Sequence, residues 1–237
     1  RSKIKAIDQH NLLGSVETLP EQIQDAWEAT KSLVFPDTFH NVSNIIVSGM
    51  GGSSLGALVI KRLFKDELQV PLEIYPHYHL PGYASKDSLV ILSSYSGGTE
   101  ETLAAAEHAE KVGAKIAVIT GGGKLAELAK QKGWPMYVID PKFNPCGQPR
   151  MAIGYAVFGM LSMFAKMGLT NLAETEVLKI VDNLKEQVSQ LNPDGSNDLA
   201  KLMSFACYDK HVVFVAAEHL IGAAHVMNNQ FNENAKS

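Results

Sequence analysis

From Asn44 to Ile139 the chain alternates short β-type runs with helical stretches. The β-type runs are Asn44–Val47, Leu72–Tyr75, Leu89–Leu92, Lys115–Ile119 and Met136–Ile139. Helical spacing occupies Ala57–Phe64, Thr99–Val112 and a stretch ending at Lys130. Gly113 follows the second of these helices at the position that ends a helix in the left-handed conformation. Strands separated by helices do not pair as hairpins, so this order demands a parallel sheet with helices on both faces. The expected class is α/β. In open parallel sheets ligands collect beyond the carboxyl ends of the strands, near a topological switch point. The glycine- and serine-rich turns of this chain all fall at that end.

Three such turns stand out. GMGGSSLG, Gly49–Gly56, follows the first strand and opens a helix, the setting in which backbone N–H groups approach a phosphate. Its glycines miss the G-x-G-x-x-G spacing, since Ser54 holds the sixth place, and no GK[ST] follows. A nucleotide-binding reading is disfavoured, and a tight turn capped by Ser53 or Ser54 is the simple alternative. SYSGGTEET, Ser94–Thr102, repeats the design after the third strand. Ser94, Ser96 and Thr99 offer hydroxyls, Gly97 and Gly98 let amides turn inward, and Glu100–Glu101 stand where the helix dipole favours acids. Three hydroxyls and a helix N-terminus can hold a dianion without a lysine; ST-turns and capping are the competing account. TGGGK, Thr120–Lys124, reads as a flexible turn with a cap.

The C-terminal part is organised differently. A loop, DPKFNPCGQPR, leads to Pro149 at the start of an expected helix Arg150–Lys166, closed by Gly168. A second helix, about Leu172–Leu191, aligns Leu178, Val181, Leu184 and Val188 on one stripe. Asn192–Asn197 is the best linker. Beyond it come a helix, Leu199–Cys207, a strand, His211–Ala216, and a turn and helix from Glu218 onward. A faint echo links IIVSGMGGSSLGALVI with VFVAAEHLIGAAHVMN. The expected division is therefore 1–191, a linker at 192–197, and the beginning of a second unit over 198–237. Arg150 at a helix N-terminus calls for an anionic partner, either a ligand or a surface salt bridge. Glu233, among Asn232, Asn234 and Lys236, can shuttle a proton or simply face solvent. His219 and His225 fit either core or site. His77 and His79, two apart, are expected to face opposite ways, and no metal site is expected.

Composition excludes several classes. With 237 residues, 46% of them hydrophobic, the chain can bury a core, and a net charge of −4 gives no global field for nucleic acid or an anionic membrane. No apolar run reaches the roughly 18 residues of a membrane span. Two cysteines in unrelated contexts, Cys146 and Cys207, fit a reducing cytoplasm. A start at Arg1 and an end in NENAKS lead to the expectation of a piece of a longer polypeptide.

GMGGSSLG, SYSGGTEET, QPRMAIGY and NQFNENAK, in that order, resemble the bifunctional phosphoglucose/phosphomannose isomerase family of SIS-domain proteins, within the phosphoglucose isomerase superfamily. The resemblance implies two flavodoxin-like SIS domains, the second only begun here. It implies a hexose 6-phosphate substrate, no organic cofactor and no metal. By the same resemblance Ser53, Ser94, Ser96 and Thr99 hold the phosphate, with Gly51 and Gly52 giving backbone approach. Arg150 would stabilise enediolate charge and Glu233 would carry the proton between C2 and C1. The family's ring-opening histidine, in an HNE-like motif and supplied by the partner subunit of a homodimer, and a lysine near the C-terminus have no matching motif in this sequence. Gly98 stands where the family usually has asparagine.

Overall fold

The computed structural model describes residues 2–236. Three helices, α1 (Ser2–Ile7), α2 (Leu12–Glu17) and α3 (Leu19–Thr30), precede strand β1 (Asn44–Ser48). Then follow α4 (Leu55–Leu63), β2 (Leu72–Ile74), β3 (Ser88–Ser94), α5 (Glu100–Val112), β4 (Lys115–Thr120), α6 (Gly123–Lys132) and β5 (Met136–Val138). The C-terminal part is helical: α7 (Ile153–Lys166), α8 (Glu174–Leu191), α9 (Leu199–Cys207) and α10 (Ile221–Gln230). All strand pairs are parallel, in the order β2-β1-β3-β4-β5. This is the flavodoxin-like order, whose switch point lies between β1 and β3. The turns GMGGSSLG and SYSGGTEET leave those two strands, side by side.

The period of two along each strand divides the core into two layers. Ile45, Val47, Leu89, Ile91, Ala117 and Ile119 pack with Ala57 and Ile60 of α4 and Tyr155, Met160 and Phe164 of α7. Ile46, Val90, Leu92, Ile116 and Val118 turn the other way, onto Ala105, Ala106 and Ala109 of α5 and Leu125 and Ala129 of α6. Both faces of β3 are covered, so every one of its residues is buried. That explains the unbroken apolar run in its sequence. Alanines on α5 let that helix lie close to the sheet.

Three sequence expectations are corrected. Arg150 does not begin the long helix: Pro149–Met151 is a separate 3₁₀ turn and α7 starts at Ile153. Side chains from elsewhere take the backbone groups that a continuous helix would pair. Gln230 Nε2 donates to Arg150 O at 3.0 Å, and the buried Gln22 of α3 donates to Met151 O and accepts from Gly154 N. On α8 the inward stripe runs through Val177 and Val181, packed on Ile23 and Trp27, while Leu178 is 43% exposed. His211–Ala216 forms no strand; its side chains alternate between half-buried and exposed, but it ladders with no strand among the described residues. An extended run without a neighbouring edge cannot complete its hydrogen bonds. Phe214 instead meets Phe231 edge to face at 5.1 Å.

Candidate functional site

The turn after β1 begins with Gly51 at φ 52°, in the left-handed region, and continues as a 3₁₀ turn over Gly51–Ser54. An ideal Cβ on Gly51 would meet nothing within 4 Å. A Cβ on Gly52 would lie 2.8 Å from Arg150 N, so this glycine admits the backbone of the Arg150 turn. Ser53 joins the first turn to the second: its carbonyl accepts from Ser93 Oγ at 2.8 Å and its Oγ accepts from Tyr95 N at 3.0 Å. Accepting through its oxygen leaves the Ser53 hydroxyl proton available to another acceptor.

In the turn after β3, Ser94 is 1% exposed and its Oγ lies 2.8 Å from Thr99 Oγ1 and accepts from Gly97 N at 3.1 Å. Ser96 and Gly98 are exposed, and Gly98 N donates to Ser96 Oγ at 3.3 Å. Gly97, at φ 67°, packs against the third glycine turn: a Cβ there would lie 1.7 Å from Gly122 O. Leu125 N donates to Gly97 O and Gly121 N to Tyr95 O, so TGGGK braces the second turn. Thr99 stands at the N-cap of α5, yet its side chain makes no capping bond to that helix. The first N–H groups of a 13-residue helix are therefore left uncapped beside two hydroxyls. Such an end carries partial positive charge and favours an anion.

A buried bridge runs from this turn toward Arg150. Asn144, 2% exposed, donates through Nδ2 to Tyr95 Oη and to Gln148 O, each at 3.0 Å. Burial pushes the Tyr95 phenol up from its ordinary range, keeping its proton in place. Gln148 Oε1 in turn accepts from Arg150 Nη1 at 3.0 Å.

Arg150 and Glu233, 83 residues apart, meet directly: Nη1 donates to Glu233 Oε2 at 3.0 Å. The arginine side chain is 15% exposed and the glutamate 42%, so the pair opens to solvent on the carboxylate side. Arg150 Nε also donates to Asn234 Oδ1. Two consecutive residues can serve one guanidinium because α10 passes into a π turn over Phe231–Ala235. Such turns are rare in helices and recur at functional sites. The anionic partner expected of Arg150 is thus Glu233, and the expected solvated face of Glu233 is half of the story. Asn229, Gln148 and Gln230 were not singled out by sequence reasoning. The available signal was the NNQ triplet that sets Asn229 four residues before Glu233, on the same helical face.

The remaining candidates stand apart. His219 and His225 are exposed and hold no place in this network. The rings of His77 and His79 stack, at 5.8 Å and 8° between planes, instead of diverging, because their segment is not a strand and side chains need not alternate. Among the described residues no group of three His, Cys, Asp or Glu could hold a metal ion, and no helix is long and apolar enough to cross a membrane.

Residues 38–142 match the SIS domain family. Over 228 residues the chain is 35% identical to a bifunctional phosphoglucose/phosphomannose isomerase of Caldicellulosiruptor bescii, covering 94% of this chain and 66% of that protein. A protein of the same name from Thermoplasma acidophilum is 32% identical, covering 82% of this chain and 56% of its own length. A D-glucosamine-6-phosphate 4-epimerase of Sulfolobus acidocaldarius is 30% identical, with 79% and 56% covered. The chain therefore spans just under two thirds of the first relative and little more than half of the other two. Among solved structures, the C-terminal domain of glucosamine-fructose-6-phosphate aminotransferase from Francisella tularensis superposes with a TM-score of 0.62 at 15% identity, covering 95% of this chain and 67% of that one. At that identity the likeness concerns the fold.

Proposed function

Because this chain is a SIS-domain relative of the bifunctional phosphoglucose/phosphomannose isomerases, we propose that it serves the aldose–ketose isomerisation of hexose 6-phosphates. The substrates would be glucose 6-phosphate and mannose 6-phosphate, converted to fructose 6-phosphate through an enediolate. The observation that carries this reading is the Arg150–Glu233 pair, a carboxylate at 3.0 Å from a cation, in a chain whose switch point holds an uncapped helix end.

In this mechanism the phosphate rests on the turn after β3, against Ser96, Thr99 and the N–H groups of α5, with Ser53 and the open side of Gly51 completing the seat. Ser94 and Gly52 belong to the same seat by holding it in shape, Ser94 through Thr99 and Gly52 through the Arg150 turn. Glu233 takes the proton from C2 and returns it to C1, while the hydroxyl proton of O2 passes to O1; no electron is gained or lost overall. Arg150 stabilises the oxyanion that develops on the way. Rotation about the opened sugar's C2–C3 bond before proton removal lets one base serve both epimers at C2.

The working form in this reading is a cytoplasmic homodimer, with a histidine of the partner subunit opening the sugar ring. Residues 198–237 open a second SIS domain after the 192–197 linker. The exposure of Leu199, Leu202, Met203 and Phe205 on α9, with Val213 and Val215 beyond it, supports that division, since apolar faces of this kind are built to be covered.

The test is a coupled assay of the natural protein with both hexose 6-phosphates, beside Glu233→Gln. Turnover of the natural protein and a loss of about 10²–10⁴-fold in the variant are expected, with sugar-phosphate binding retained. Full turnover in the variant removes Glu233 as base. Binding without turnover in the natural protein indicates a sugar-phosphate-binding module in its place.

A further inference from the structure

Asn229 lies on the last full turn of α10, four residues before Glu233, and donates through Nδ2 to Glu233 Oε1 at 2.8 Å. Arg150 already holds the other carboxylate oxygen, Oε2. The two donors therefore grip opposite ends of the same carboxylate and fix its plane. Only the amide nitrogen of Asn229 can serve a carboxylate, so its Oδ1 must point away, and there it is buried without a hydrogen-bond partner among the described residues. Leaving a buried acceptor unpaired is destabilising. An apolar side chain at this position would avoid that cost, so the asparagine earns its place through the bond it gives to Glu233.

We propose that Asn229 is a positioning residue that orients the Glu233 carboxylate for proton transfer. The inference deepens the isomerase reading and rests on it. Arg150 alone would leave the carboxylate free to swing about its single anchored oxygen. With Asn229 in place, rotation breaks one charge-assisted bond, and the lone pairs not used by the two donors keep a constant direction. Positioning of this kind acts on the chemical step more than on substrate capture.

Two substitutions separate a donor from a mere space-filler. Asn229→Leu keeps the shape and removes the N–H donor without adding charge beside Glu233; Asn229→Ala removes both. If Asn229 only packs, the leucine variant stays near the natural rate and the alanine variant loses more. If Asn229 positions the base, kcat for hexose 6-phosphate isomerisation falls tenfold or more in both the leucine and the alanine variant, with KM within about twofold. Loss in alanine alone, or kcat within twofold in both variants while Glu233→Gln is inactive, overturns the proposal and leaves the isomerase reading intact. A second readout is independent of turnover: the Arg150 Nε–H resonance in ¹⁵N spectra reports the pairing of Arg150 with its partners. Asn229→Leu should displace it, as Glu233→Gln does. An unmoved resonance overturns the proposal even if the natural protein turns over no hexose phosphate, the outcome that would defeat the isomerase reading by itself.

Discussion

The turns after β1 and β3 each carry a glycine pair, Gly51–Gly52 and Gly97–Gly98, and the two pairs divide their labour in the same way to different ends. One member of each pair faces open space, Gly51 and Gly98. The other is pressed against backbone: Gly52 against the Arg150 turn, Gly97 against Gly122. The first contact joins the candidate phosphate seat to Arg150, the cation paired with Glu233. The second joins it to a neighbouring turn that has no chemistry of its own. Glycine-rich loops at a switch point are readily taken as space for a ligand. Here half of that space is filled by the protein itself.

The sharpest way to break this comparison is Gly97→Ala. A methyl 1.7 Å from Gly122 O, on a residue at φ 67°, forces the two turns apart; a loss of about 4 kcal/mol in stability is expected from overpacking and the left-handed conformation together, read by urea unfolding. Stability within 1 kcal/mol of the natural protein would mean that the third turn does not brace the second. Gly52→Ala ranks next. Displacement of Arg150 N and Pro149 should destabilise by about 1–3 kcal/mol and, in the isomerase reading, lower kcat at least tenfold. An unchanged rate would uncouple the first turn from Arg150. The open pair supplies the smallest effects. Gly51→Ala, with free space but φ 52°, should cost about 1 kcal/mol. Gly98→Ala, with free space and no left-handed requirement, should stay within about 0.5 kcal/mol. Reversal of that order would show that space, not backbone conformation, limits these positions.

Much of the scaffold is legible along the chain because its signals are local. The β-type runs at Ile45, Leu89 and Ile116 carry their own periodicity, and Gly113 ends α5 in the left-handed conformation expected of it. The parallel order follows from the helices between strands. What escaped are features set by distant residues. No local signal says that Gln22 and Gln230 will take the backbone groups around Met151 and split Arg150 from α7. The valine-rich run at His211–Ala216 has a strand's alternation, but a ladder belongs to two segments and only one can be read from this stretch. Arg150 and Glu233 could each be named as candidates from residue type and resemblance. Their 3.0 Å contact depends on the packing of α10 against α4, which spacing along the chain does not contain. Asn229 was within reach, since a helical face repeats every three to four residues.

The π turn at Phe231–Ala235 makes this end of the molecule sensitive to counting. A helix step of one residue is a rotation of about 100°. Substitutions along the turn change one side chain at a time, whereas removal of a single residue between Gln230 and Asn232 would restore an ordinary helix and swing Glu233 off Arg150. Length over this segment is therefore as much a part of the Arg150–Glu233 contact as the identity of Glu233 itself, and a one-residue gap there would part the two without touching the turns after β1 and β3.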